Sequence, residues 1–228
     1  MGIAYNTSIV TNGLVLALDA ANSRSYSGSG STIWSDLSIS YTNGKLYSGA
    51  GFTSEYGGGI SFDGTDDYFI TDSAASFNSL SQMTAEITFK LNASISGYKH
   101  IFNKPLNTSG GTWALYCGNF TNKLTWYLNA DSNTFSFSDV SVGIIYSYVM
   151  TYDQANLRTY INGNVASSVS YTTSLSYDNA KPINIGRFDT SGYLGPSVSV
   201  YNAKVYNRAL SAAEVKQNYN ASKKRYGL

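Results

Sequence analysis

Charge is scarce in this chain. Only 13% of its 228 residues are Asp, Glu, Lys or Arg, against about 25% in an average soluble domain. The net charge is +1, so no broad field draws it to nucleic acid or to an anionic membrane, and neither is expected as a partner. A single cysteine, Cys117, excludes an intrachain disulfide and with it a disulfide scaffold, and it fits synthesis in a reducing cytoplasm. A single histidine, His100, excludes multi-histidine metal centres. No apolar run is long enough to span a bilayer. Met1 to Val10 has neither the basic nor the apolar region of a signal peptide. No Gly-x-Gly-x-x-Gly follows a strand and no P-loop occurs, so nucleotide chemistry has no support.

What is abundant is hydroxyl and amide polarity, including 20 tyrosines, and turn-forming glycine, 21 residues in all. Period-2 alternation runs through the chain. Leu14, Leu16 and Leu18 alternate with Val15 and Ala17, which suits a strand buried on both faces or at a subunit contact. Ala85, Ile87, Phe89 and Leu91 alternate with Thr84, Glu86, Thr88 and Lys90, which predicts a half-buried strand with a polar outer face. Leu124, Trp126 and Leu128 oppose Thr125 and Tyr127. Strands over 144–152 and 157–161 follow, and Asn162-Gly163 closes the next hairpin. Asn12-Gly13, Asn43-Gly44 and Asp63-Gly64 read as further turns, and Ser23 to Ser31 as a mobile loop by composition. Many short strands with almost no helical periodicity predict an all-β, two-sheet antiparallel jelly-roll sandwich. The one convincing helix, over 211–224, begins at Ser211-x-x-Glu214. There the serine caps the N–H of Glu214 and the glutamate reaches back, a capping box. A single helical turn is expected near Ser76–Leu80. Residues 1–13 read as an N-terminal arm and 14–228 as one domain.

The closing phrase Tyr206-Asn207-Arg208-Ala209-Leu210-Ser211-x-x-Glu214 resembles the end of laminin-G-like domains of the concanavalin A-like jelly-roll superfamily. So, in the same order, do Ser61-Phe62-Asp63-Gly64-Thr65-Asp66-Asp67-Tyr68, Thr84-Ala85-Glu86-Ile87-Thr88-Phe89, Val149-Met150-Thr151-Tyr152-Asp153, Tyr160-Ile161-Asn162-Gly163 and Ile185-Gly186-Arg187. That superfamily holds both lectins and glucanases. The opening, Tyr5-Asn6-x-Ser8-Ile9-Val10-Thr11-x-Gly13-Leu14 through Asp19-Ala20-Ala21-Asn22, with Ser25-Tyr26 and Trp34-x-Asp36-Leu37, is similar to structural proteins of tailed-phage virions that carry such a domain. This resemblance implies a virion component, whether capsid decoration, fibre or tail, made in the host cytoplasm. Its partners would be the other virion proteins. Gly195-Pro196-Ser197 departs from the family's usual run, and Pro196 should precede a strand or sit at an edge.

Glycosidases on this fold need two carboxyls across a cleft. The chain has only Glu55, Glu86 and Glu214 as glutamates, none in the glucanase spacing, and no two Asp alternate along a strand. The chain is therefore expected not to be an enzyme. A Cys117–His100 dyad is conceivable, but Cys117 alternates with Trp113 and Leu115 and reads better as core. No cofactor is expected, with calcium left open. Asp63, Asp66, Asp67 and Asp72 form the one acidic group, and Asp66 or Asp67 with loop carbonyls would suit Ca²⁺, which laminin-G-like relatives often hold at a sandwich rim. The competing and favoured reading is a solvated turn. Tyr116 and Tyr127 fall opposite core-facing sets and offer faces for sugar stacking or protein contact, and Glu86 is grouped with them as a ligand-binding candidate. Assembly contacts and a homo-oligomer are expected first. A carbohydrate-binding adhesin is the alternative.

Overall fold

The computed structural model describes residues 8–106, 111–118, 120–130, 138–189 and 194–228. Residues 1–7 of the expected arm lie outside the described residues. In chain order the strands are β1 (Leu14–Asp19), β2 (Ile33–Trp34), β3 (Gly44–Tyr47), β4 (Gly51–Thr53), β5 (Gly59–Phe62), β6 (Tyr68–Thr71), β7 (Met83–Leu91) and β8 (Lys99–Pro105). They continue with β9 (Gly111–Cys117), β10 (Lys123–Leu128), β11 (Ser138–Asp139), β12 (Ile145–Tyr152), β13 (Asn156–Ile161), β14 (Asn164–Ser170), β15 (Asn184–Ile185) and β16 (Val198–Tyr206), after which comes the helix α1 (Ala212–Ser222). They form two sheets of eight strands. The first runs β14-β13-β12-β7-β16-β5-β4, with β1 also on β16, and the second runs β11-β10-β9-β8-β15-β6-β3-β2. Every pairing among these strands is antiparallel. The architecture is the concanavalin A-like jelly-roll sandwich with one short C-terminal helix.

The alternation read from the sequence sets the core. Phe62, Phe89 and Val200 project from the first sheet onto Phe69, Phe102, Trp113, Trp126 and Leu128 of the second. Phe102 meets Trp113 edge-on at 4.9 Å. Truncating any of these aromatics to Ala would cost about 3–5 kcal/mol in lost transfer energy and a cavity. Cys117 lies in this core and hydrogen-bonds the Phe120 carbonyl. His100 pairs with Tyr116, the residue before Cys117, and lies on the opposite face of the sheet, so no Cys117–His100 dyad forms. Asn162 and Gly163 both take positive φ, 51° and 72°, as a two-residue type I′ hairpin requires. Gly44 is not a turn residue: it opens β3, and a Cβ there would stand 2.4 Å from the Phe69 ring. Ser23 to Ser31 is held rather than loose, since Ser25 and Tyr26 are buried and the Tyr26 hydroxyl bonds the Ser31 carbonyl.

Two expectations about faces change. A register shift between Leu14 and Leu16 puts a bulge in β1. Val15, Leu16 and Leu18 therefore face the main core while Leu14 and Ala17 face outward, where a regular strand would have put the three leucines together. The outer face of β7 is polar as predicted but not half-exposed: Thr84, Glu86 and Thr88 are buried. What covers them is α1 and the arm. Ser211 caps α1, with the Ser211–Glu214 capping box formed, and Arg208 grips the Glu214 carboxylate with two N–H groups, at 2.6 and 3.0 Å. Gly227, with φ 72°, ends the turn that follows the helix. Asn218, wholly buried on α1, donates to the Glu86 carboxylate at 2.8 Å and to the Tyr206 hydroxyl at 2.9 Å. It accepts the Val10 N–H at 2.8 Å, so one amide joins arm, helix and sheet.

Candidate functional site

The second sheet leaves part of its outer face open, and that face carries the site. On β3 and β6, Leu46 and Phe69 point into the core, so Tyr47 and Tyr68 point out. The two tyrosines are direct cross-strand partners, and their rings stack at 4.7 Å and 15°. Arg187, just after β15, lays its guanidinium over the Tyr68 ring at 4.1 Å, a contact that gains from the planar cation and the ring's negative face. Its Nε donates to the Asp189 carbonyl, and its terminal nitrogens form no ion pair among the described residues.

The β5–β6 turn adjoins this stack. Asp63, Asp66 and Asp67 bring carboxylate oxygens within 4.8 Å of one another. Asp63 folds back to accept the N–H groups of Thr65 at 2.7 Å and Asp66 at 3.3 Å, and these backbone donors hold its carboxyl below the usual range. Asp67 accepts the Asp63 N–H at 2.9 Å. Burial pushes the Asp67 carboxyl up, and the neighbouring Asp63 and Asp66 charges add to the rise. Gly64 makes the turn possible, with φ 83° and a Cβ position 2.5 Å from the Ser197 nitrogen. Hard carboxylate oxygens grouped this closely suit Ca²⁺. Asp66 and Asp67, the residues singled out from the sequence, are both in the group. Asp72 is not, since it lies beyond the far end of β6.

The other sequence candidates lie elsewhere. Tyr116 and Tyr127 do occupy the outer face of the second sheet, meeting edge-on at 4.8 Å, but each is only 5% exposed. His100 stacks on Tyr116 at 5.5 Å and meets Phe188 at 4.5 Å. The Tyr127 hydroxyl accepts the Gly111 N–H and lies 3.4 Å from His100 Nε2. Burial lowers the His100 pKa to about 3. These rings fill a closed aromatic cluster and offer no open stacking face. Glu86 is 1% exposed, paired at 2.7 Å with Lys204, and is not available to a ligand. Tyr47, Tyr68 and Arg187 escaped the sequence reading. The alternation Gly-Lys-Leu-Tyr and Tyr-Phe-Ile-Thr already puts both tyrosines outward, but their cross-strand register is not written in either segment.

Comparison with known proteins bears on both fold and chemistry. The profile of the concanavalin A-like lectin/glucanases superfamily matches residues 63–216. Among curated proteins none matches the chain in sequence. The Trypanosoma rangeli sialidase in complex with 2,3-difluorosialic acid superposes with a TM-score of 0.73 over 96% of this chain, at 16% identity. The binding domain of Paraclostridial Mosquitocidal Protein 1 gives 0.69 over 92% at 18%, and the receptor-binding domain of botulinum neurotoxin type G gives 0.68 over 91% at 17%. The chain spans 34% of the sialidase and 52% and 51% of the two toxin domains. The expectation that the chain is not an enzyme is overturned by the sialidases, since enzymes contain this same sandwich. At 16% identity the likeness shows the fold and names no reaction. That expectation rested on strands without alternating carboxylates, and a turn, rather than a strand, gathers three of them here.

Proposed function

The chain belongs to the concanavalin A-like lectin/glucanase superfamily, and from that premise we propose that it is a binding module of a tailed-phage virion that touches neutral glycans with the open face of its second sheet. The observation that carries the glycan reading is the stacked pair of exposed Tyr47 and half-buried Tyr68, next to the turn that gathers the carboxylates of Asp63, Asp66 and Asp67. A pyranose ring lies against the Tyr47 face. Carboxylates at the rim accept its hydroxyl protons, and Arg187 donates to its oxygens. Three carboxylates against one guanidinium leave the rim net negative, which disfavours polyanionic sugars. Calcium bound at Asp63, Asp66 and Asp67 would lock the turn and add a hydroxyl-binding position.

The virion reading is supported by the resemblance of residues 5–37 to phage structural proteins. The division of faces supports it too: the helix packs on the first sheet's outer side, while the β3–β6 edge of the second sheet stays open. Other virion proteins are then the partners, and the virion is the place of action. The two toxin neighbours are a binding domain and a receptor-binding domain, the same use of this sandwich. The test is a glycan array followed by calorimetry on the hits, with and without a calcium chelator. Binding that Tyr47→Ala weakens about tenfold, the scale of one lost stacking contact, supports the glycan reading. Binding that ignores both Tyr47→Ala and Asp66→Asn removes it. Particles disassembled and probed for the chain settle the virion reading separately.

A further inference from the structure

Arginine is among the most flexible side chains, so one that rests on an aromatic ring needs its backbone held. Arg187 follows β15, and the chain leaves that strand at Gly186, whose φ is 80°. A Cβ there would stand 2.9 Å from the Asp67 carbonyl oxygen, so the exit passes directly against the acidic turn. Beneath it lie Asn103 on β8 and Asn184 on β15, which are cross-strand partners. Their neighbours Phe102 and Ile185 point into the core, so both asparagines point to the outer face. They are buried there, at 0% and 2% exposure. Asn103 Nδ2 donates to the Arg187 carbonyl at 2.7 Å, and Asn184 Nδ2 donates to the Phe188 carbonyl at 2.9 Å. Two successive carbonyls are thus gripped from two adjacent strands. Phe188 is 1% exposed, and Asp189 is tied to Lys181 at 2.6 Å. The Arg187 Nε–H then donates to the Asp189 carbonyl at 3.2 Å, which turns the guanidinium onto Tyr68.

Asn103 breaks a packing rule in a way that identifies its task. Its Oδ1 is buried with no hydrogen-bond partner among the described residues. A buried polar atom without a partner is destabilising, and a leucine would fill a similar volume without leaving one. What the asparagine supplies is therefore its N–H donor, and the group that receives it is the Arg187 carbonyl. Local rules are broken in this way mainly where a site needs them broken.

We infer that Asn103 and Asn184 are positioning residues for ligand recognition. They touch no sugar. By holding the Arg187–Phe188 backbone they keep the guanidinium on Tyr68, where it donates to the oxygens of a glycan. The inference rests on the glycan reading for the identity of the ligand. An arginine already held in place loses little freedom on binding, and pre-organisation of this kind raises affinity. The arrangement also ranks the effects. Loss of the guanidinium sets the ceiling, and loss of either asparagine matters only while there is a guanidinium to misplace.

The experiment is a double-mutant cycle on the full chain, read by calorimetry with a neutral glycan that binds the wild type, while NMR follows the Arg187 Nε–H. Asn103→Leu and Asn184→Leu are each expected to weaken binding about fivefold, and Arg187→Ala at least as much. In the Arg187→Ala background neither leucine weakens binding further. The Nε–H resonance, displaced by the Tyr68 ring in the wild type, moves toward the position of a free arginine in either leucine variant. Where a leucine variant does not fold, serine at the same position, too short to reach the carbonyl, carries the same expectations. A resonance that neither variant moves overturns the inference, and so do losses that add in full in the Arg187→Ala background. A wild type that binds no neutral glycan, with the resonance moving as expected, removes the glycan reading and upholds the hold on Arg187.

Discussion

On the first sheet the outward side chains Thr84, Glu86, Thr88 and Lys204 lie buried under α1 and the arm, whereas on the second sheet Lys45 and Tyr47 stand in solvent beside the half-buried Tyr68 and Arg187. Both sheets follow the same alternation, so the pattern of the strands alone does not distinguish them. The difference comes from what packs on them. Eleven residues of helix, Ala212–Ser222, together with the arm, convert a polar face into an interior. That interior then needs partners for every buried polar group. Glu86, Lys204, Asn202, Asn218 and Tyr206 supply them to one another. The open edge of the second sheet, at β3 and β6, has no such obligation, and Tyr47 and Lys45 there stand in solvent.

Four perturbations would break or sharpen this contrast. The largest effect is expected from Lys204→Met, which strands the buried Glu86 carboxylate and should cost about 3–5 kcal/mol in urea unfolding. Lys204→Met with Glu86→Leu should recover much of that loss. Next comes His100, in the closed part of the second sheet's outer face, where Thr112, Ala114, Tyr116, Thr125 and Tyr127 are buried as well. Its pKa falls from 6.5 to about 3 on burial, so the folded state keeps it neutral while the unfolded chain takes up a proton. Stability is therefore full above pH 6.5 and declines as the pH falls toward 3, by about 2–3 kcal/mol at pH 4.5. Unfolding of His100→Phe followed from pH 7 to 4.5 should lack that decline.

A smaller loss, about 1 kcal/mol, is expected from Glu214→Ala, which removes the side-chain half of the capping box and the Arg208 fork at a partly exposed site. The Arg208 N–H groups hold the Glu214 carboxyl down at about 2. Its contribution to stability should thus persist above pH 4.5 and vanish as the pH falls through 2. The smallest effect on stability belongs to Tyr47→Ala, within about 0.5 kcal/mol in thermal unfolding, even as it removes the proposed sugar platform. If Tyr47→Ala destabilised the fold as strongly as Lys204→Met, the contrast between a closed and an open face would be wrong.

How much of this was legible in the sequence depends on the range of the interaction. Ser211, Glu214, Asn162 and Gly163 act within four residues, and the helix start and the hairpin could be read directly. So could the core side of β9 and β10, because alternation is local. The bulge at Leu14–Leu16 was not, since a one-residue slip is decided by the partner strand β16. The fate of Glu86 was not, because its cover arrives from Asn218, 132 residues away. Tyr116 and Tyr127 were assigned the correct face but not its closure, which comes from packing with His100 and Phe188. The Tyr47–Tyr68 stack needed the register of β3 on β6. The acidic turn was visible as composition, but its convergence with that stack was not.

All three tryptophans of the chain, Trp34, Trp113 and Trp126, are at most 1% exposed within the sandwich. Their emission therefore reports the interior alone. It should shift to the red when the layers separate and stay unchanged when a sugar settles on Tyr47. The protein thus carries its own gauge of folding, insensitive to what its surfaces hold.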